Sequence, residues 1–199
     1  MQGQMFGTYY NFTITQIVVA AIVLLVVVAI VVAAIVARRK ARTKAFRNRF
    51  GSEYDRAVIT HGSPRDAEAK LADRETRVEA LQIRELGPTE RDRFVADWQT
   101  VQSRFVDHPR AAVTEADDLV NALLEARGYP HTGFEQRAAD VSVTYPRVME
   151  NYRLAHGIAV RPGKGEATTE ELRTAMIQYR AIFDELAQPQ KLVERKSAA

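Results

Sequence analysis

Residues 17–37 are 21 consecutive side chains drawn only from Ile, Val, Leu and Ala. At about 1.5 Å per helical residue such a run is about 31 Å long, close to the roughly 30 Å hydrocarbon thickness of a bilayer. Most of these residues are β-branched and in water would favour a strand. In lipid a lone strand leaves its backbone N–H and C=O groups without partners, so a single segment must be helical. The fifteen Ile, Val and Leu side chains each contribute about −0.3 to −0.6 kcal/mol near the helix centre, and insertion is favourable by several kcal/mol. The run therefore predicts a transmembrane helix.

The flanks orient it. Residues 1–16 carry no charged side chain, whereas residues 38–49 hold Arg38, Arg39, Lys40, Arg42, Lys44, Arg47 and Arg49 and no acid. The positive-inside rule then puts the N-terminus outside and the C-terminal part in the cytoplasm. A cleaved signal peptide has its basic residues before a shorter apolar stretch, so the expectation is an uncleaved anchor. Tyr9, Tyr10 and Phe12 fit an outer-interface aromatic belt, and the Asn11-Phe12-Thr13 sequon, so close to the bilayer, reads as coincidence. The basic block sets topology and also offers anionic lipid headgroups about 1 kcal/mol per residue near the surface. Ala29, Ala33 and Ala37 form a small-residue ladder of the kind that allows close helix pairing, though so Ala-rich a span produces it easily.

The formal net charge of +3 hides this asymmetry. Beyond residue 50 there are 21 Lys/Arg against 25 Asp/Glu, a balance of 21 − 25 = −4. The high pI comes from one short block, which argues against a nucleic-acid partner. The chain has no cysteine, which excludes disulfides, thiolate catalysis, iron–sulfur clusters and Cys-containing zinc sites.

Past Phe50 the apolar residues recur at helical spacing, so the fold class expected is all-α. Phe50, Tyr54 and Val58 share one face of a short helix ending at His61-Gly62-Ser63-Pro64. Residues 64–83 are dense in charge, with only a thin stripe of Ala67, Leu71, Val78 and Leu81, as in a peripheral helix or one awaiting a partner. Asp66 with Lys70 and Asp73 with Arg77 stand at i, i+4, each pair adding about 0.2–0.5 kcal/mol. Gly87-Pro88-Thr89-Glu90 opens a helix lined by Phe94, Trp98, Val101 and Phe105, an aromatic row that reads as core. The next helix carries Val113, Ala116, Leu119, Val120, Leu123 and Leu124 and stops at Gly128-Tyr129-Pro130. A short helix over 134–141 follows, then a stripe of Val148, Met149, Tyr152, Ala155, Ile158 and Ala159. Thr168 and Glu171 have capping-box spacing ahead of Leu172, Ala175, Met176, Tyr179, Ile182, Phe183 and Leu186. The layout expected is a short extracytoplasmic N-terminus (1–16), the transmembrane helix (17–37), a basic juxtamembrane segment (38–49), a charged helical connector (50–87), a bundle of four or five helices (88–187) and a flexible tail (188–199).

Catalytic chemistry finds no footing. His61, His108, His131 and His156 share no metal-ligand spacing, and His156 reads as a packed, hydrogen-bonded residue. Gly163-Lys164-Gly165 lacks the spacing of a phosphate loop. Asp117 and Asp118 point about 100° apart on a helix and read as part of a solvated face. No catalytic, cofactor-binding or metal-ligating residue is assigned, and no cofactor is expected. Residues 127–146 crowd Tyr129, His131, Phe134, Arg137, Asp140 and Tyr145 into a connector. Aromatic and Arg residues on loops make binding hot spots, so these six are the candidate partner surface. An Arg137–Asp140 pair at i, i+3 with a few capping bonds is the structural alternative.

Phe50-Gly51-Ser52-Glu53-Tyr54-Asp55-Arg56-Ala57-Val58, Arg104-Phe105-Val106-Asp107-His108-Pro109, Gly128-Tyr129-Pro130 and Phe134-Glu135-Gln136-Arg137-Ala138-Ala139-Asp140 resemble a bacterial, often actinobacterial, family of single-span membrane proteins of unknown function. The resemblance covers most of the part beyond the span and implies a membrane helix followed by a helical domain, with no activity and no functional residue to carry over. The expected role is a non-enzymatic interaction or scaffold module in the inner membrane, holding a cytoplasmic protein partner or associating with itself through residues 64–83 and 127–146. The alternatives are a tethered small-ligand sensor with a pocket at Trp98, Phe105 and Tyr152, and an anionic-lipid-binding module working through residues 38–49.

Overall fold

The computed structural model describes residues 14–161 and 167–188. Tyr9, Tyr10, Phe12, the Asn11 sequon, the Gly163-Lys164-Gly165 turn and the tail beyond residue 188 lie outside the described residues. Among the described residues all regular structure is helical, and the chain divides into two compact units, Met1–Ala45 and Phe46–Ala199.

The first unit holds most of α1 (Ile14–Phe50), a helix long and apolar enough to cross a membrane. Its large side chains from Ile17 to Val36 are all exposed, Leu25 at 70%. A helix apolar on every side and covered by no protein has the length and polarity that a bilayer core requires.

In the second unit, Gly51 breaks the backbone at φ +53°, a conformation L side chains rarely adopt, and α2 (Ser52–His61) begins beyond it. Gly62 closes α2 in the left-handed conformation, its N–H donating to the Val58 carbonyl at 2.9 Å. Ser63 then caps α3 (Pro64–Glu79), its hydroxyl accepting from the Asp66 N–H at 3.1 Å with Pro64 in the first turn. The thin apolar stripe is enough for a peripheral helix: Ala67 and Leu71 close a small core with Phe50, Tyr54 and Ala57, against which Val143 packs. The i, i+4 pairs expected on α3 are replaced. Asp66 turns to the Ser63 hydroxyl at 2.7 Å, Lys70 to Asp73 at 3.6 Å, and Arg77 leaves its own helix for Asp140.

Residues 80–87 are not a free linker. Leu81, Ile83 and Leu86 pack on the main core, and the Arg84 N–H donates to the Arg127 carbonyl at 2.9 Å. The connector over 50–87 thus belongs to the same compact unit as the bundle.

The bundle comprises α4 (Pro88–Arg104), α5 (Pro109–Ala126), α6 (Phe134–Thr144), a 3-10 turn (Pro146–Val148), α7 (Met149–Ala159) and α8 (Thr169–Ala187). Its core joins Trp98 of α4, Val113, Val120, Leu123 and Leu124 of α5, Tyr152 and Ile158 of α7, and Tyr179, Ile182, Phe183 and Leu186 of α8. Trp98 stacks on Phe183 with centroids 4.8 Å apart. Both predicted starts are present. Glu90 accepts from the Gly87 N–H at 3.0 Å, and Thr168 with Glu171 forms a reciprocal capping box that starts α8.

Candidate functional site

The seven basic residues after the span divide into two groups. Arg38, Arg39, Lys40, Arg42 and Lys44 are exposed on α1 within the first unit. Arg47 and Arg49 belong to the second unit and pair within it, Arg47 with Asp55 and Arg49 with Glu75, both at 2.7 Å. The Ala29, Ala33 and Ala37 ladder lines a shallow apolar groove along α1 with Leu25, Val28, Val32 and Val36.

Of the six connector residues read as a partner surface, four lie inside the protein. Tyr129 is 2% exposed and its hydroxyl bonds Thr144 at 3.1 Å. Burial pushes its phenol pKa up. Tyr145 is buried beneath the Arg127 guanidinium, 5.5 Å from its ring centroid. Arg137 and Asp140 are also buried, and the expected pairing between them gives way to other partners. Arg137 donates to the Asn121 amide oxygen and the Thr132 carbonyl, while Asp140 accepts from Arg77 and from Gln136 at 3.1 Å. Phe134 is half-buried, stacked on His156 at 3.7 Å. Only His131 of the six is exposed, beside Glu125. The connector closes the interior here, which takes Tyr129, Arg137, Asp140 and Tyr145 out of the exposed surface.

Of the three aromatic residues proposed for a ligand pocket, Phe105 is half-buried and the other two are enclosed. Trp98 and Tyr152 are at most 1% exposed. Trp98 is covered by Phe183, while Phe134 and Tyr179 lie against Tyr152.

The bundle instead contains a polar network built around a residue that sequence reasoning put on the solvated face. Asp117 is turned inward. Its Oδ1 accepts from the Tyr179 hydroxyl at 2.7 Å and lies 3.3 Å from His156 Nδ1, and its Oδ2 accepts from Asn121 at 3.3 Å. The Asn121 oxygen in turn accepts from the Tyr152 hydroxyl at 3.1 Å and from Arg137. Four helices, α5 to α8, meet there. Burial pushes the Asp117 carboxyl up, but the hydrogen bonds from His156, Tyr179 and Asn121 outweigh it and hold the pKa below the ordinary aspartate value. Burial first, and then the Asp117 charge, push the Tyr152 and Tyr179 phenols far up. Both tyrosines are therefore held as donors. A signal for this was present: Asp117 and Asn121 continue the inward row of Val113, Val120 and Leu124 at spacings of three and four.

A second charged cluster joins α2 and α3 to α6 and α7. Glu53, only 4% exposed, accepts from Arg153 Nε at 3.0 Å and Nη2 at 3.3 Å, with Arg74 at 4.0 Å. Arg153 continues to Glu135 at 2.8 Å. Burial opposes the Arg153 charge, and Glu53 and Glu135 more than restore it, raising its pKa. For Arg74 burial prevails and the pKa is lowered. Among the described residues no group of three or more His, Asp or Glu is placed to hold a metal ion.

Compared with protein families, with curated proteins and with solved structures, this chain matches none.

Proposed function

We propose that this protein is a non-enzymatic, membrane-anchored interaction module of the bacterial inner membrane, with its N-terminus outside and residues 46–187 in the cytoplasm. The observation that supports this reading is the asymmetry around the apolar helix. Five exposed basic residues, Arg38, Arg39, Lys40, Arg42 and Lys44, follow it directly, and residues 1–16 carry no charged side chain. The helical unit then presents its outer helix faces, and its role is to hold a cytoplasmic protein or a second copy at the membrane. The absence of native cysteine gives a direct test. A single cysteine at Gly3 should react with a membrane-impermeant maleimide in intact cells, and one at Gly157, an exposed position, should not; the reverse pattern refutes the orientation. Cross-linking in the native membrane with mass spectrometry then identifies the partner, and links to no protein at all refute the module.

The same five exposed cations favour one second reading, recognition of anionic headgroups. Labelled phosphatidylglycerol should be enriched around the wild-type helix and not around a variant with these five residues changed to Gln.

A further inference from the structure

The second unit has two cores of different kinds. Residues of α4 to α8 share one large apolar core, whereas Phe50, Tyr54, Ala57, Ala67 and Leu71 form a small separate one, with Val143 the bundle side chain packed against it. Two ion pairs cross between α2–α3 and the bundle, Glu53 with Arg153 and Arg77 with Asp140, in opposite directions of charge. Each side adds a supporting charge of its own, Arg74 beside Glu53 and Glu135 beside Arg153. Glu53 and Asp140 are almost fully buried. Buried ion pairs lose hydration that their mutual attraction restores only when every partner is in place. A contact of this type is specific in register but shallow in free energy, as polar interfaces between parts of one chain generally are.

The helical run is interrupted at each end of this segment. Gly51 stands at φ +53° before α2, and α3 ends at Glu79. Residues 81–86 beyond it stay attached to the main core through Leu81, Ile83, Leu86 and the Arg84–Arg127 bond. Motion of α2 and α3 therefore need not disturb α4 to α8.

We propose that α2 and α3 form a charge-keyed arm that docks on and releases from the α6–α7 face while the bundle stays folded. Release uncovers the buried Asp140 and the half-buried Arg153. It also frees residues 51–80, part of the covalent path between the apolar helix and the bundle.

Hydrogen exchange with mass spectrometry on the full-length protein in nanodiscs tests this. Amides of α2 and α3 are expected to exchange at least tenfold faster than the core amides of α5 and α8. Asp140→Asn and, separately, Glu53→Gln should speed the arm at least a further tenfold and leave α5 and α8 unchanged. Arg77→Gln changes the exposed partner of the Asp140 pair and should act the same way, so the test survives a variant that fails to fold. Equal exchange of arm and core in the wild type, or variants that accelerate both together, overturns the proposal. Variants that leave the arm unmoved show that these charges do not hold it, and overturn it equally.

Discussion

The Tyr179 hydroxyl of α8 donates to Asp117 Oδ1 of α5 at 2.7 Å, joining two helices through a half-buried carboxylate. Asp117→Ala removes the acceptor and leaves the Tyr179 hydroxyl and the Asn121 amide short of partners. Leaving buried polar groups unsatisfied costs about 1–3 kcal/mol each, so a loss of about 2–4 kcal/mol is expected in urea unfolding followed by Trp98 fluorescence. Tyr179→Phe should cost about 1.5–3 kcal/mol, the range for bonds to charged groups. The double variant should cost less than the sum, because both changes break one bond.

The same carboxylate makes stability depend on acid. Its pKa is lower in the folded chain than in the unfolded one, so the folded state binds fewer protons at this site. The contribution is complete above about pH 4, the ordinary aspartate range, and is lost as the pH falls through the folded value. Between pH 5 and pH 3 the wild type should lose more stability than Asp117→Asn, which has no proton to take up there. Parallel losses would mean that the Asp117 pKa is the same in the folded and unfolded chains.

Two helix starts report the same sign at the surface. Glu171 is held down to about 2 by the Thr168 N–H, Arg161 and the Thr168 hydroxyl, and Glu90 to about 2 by Arg84 and the Gly87 N–H. Each stabilises its cap above the ordinary glutamate value of about 4.3 and loses that role as the pH falls towards 2. Carboxyl carbon titration by NMR should show both midpoints well below those of other surface glutamates, and Thr168→Ala should move the Glu171 midpoint upwards while Glu90 stays.

Arg127 is 1% exposed, with Nη1 bonded to the Leu186 carbonyl at the end of α8 and its plane over Tyr145. Its Nε and Nη2 are buried without a partner. A cation enclosed this way gains little over an apolar side chain of similar length. Arg127→Met should therefore change stability by no more than about 1 kcal/mol in either direction, whereas Arg127→Ala, which opens a cavity, should cost about 3 kcal/mol or more. A large loss in Arg127→Met would show that the charge itself holds the ends of α5 and α8 together.

What could be read from the sequence follows distance along the chain. The helices were legible because their apolar residues repeat locally and their ends carry local marks: Gly62-Ser63-Pro64, Gly87-Pro88, and Thr168 with Glu171. The partners of Arg77, Glu53 and Arg137 were not, because Asp140, Arg153 and Asn121 lie 63, 100 and 16 residues away. Local spacing suggested Asp73 for Arg77 and Asp140 for Arg137, and tertiary packing replaced both. Asp117 was misplaced for another reason. Weighed as half of an acidic pair with Asp118, it belongs to solvent, but weighed by its register with Val113 and Val120, it belongs inside.

The turn after α5 offers the sharpest test of how residues 80–87 are held. Gly128 adopts φ +94°, and a Cβ there would meet the Gln82 carbonyl oxygen well inside contact distance, with Ile83 close behind. Gly62 has a similar φ of +77° but open space around it. Gly62→Ala should therefore cost only the conformational penalty, about 1–2 kcal/mol. Gly128→Ala carries the same penalty and must also displace backbone that the Arg84–Arg127 bond fixes, so its cost should exceed that of Gly62→Ala by about 1 kcal/mol or more. Raised exchange of the Arg84 amide should accompany it. Equal losses in the two variants would mean that residues 80–87 yield freely and are not seated against the end of α5.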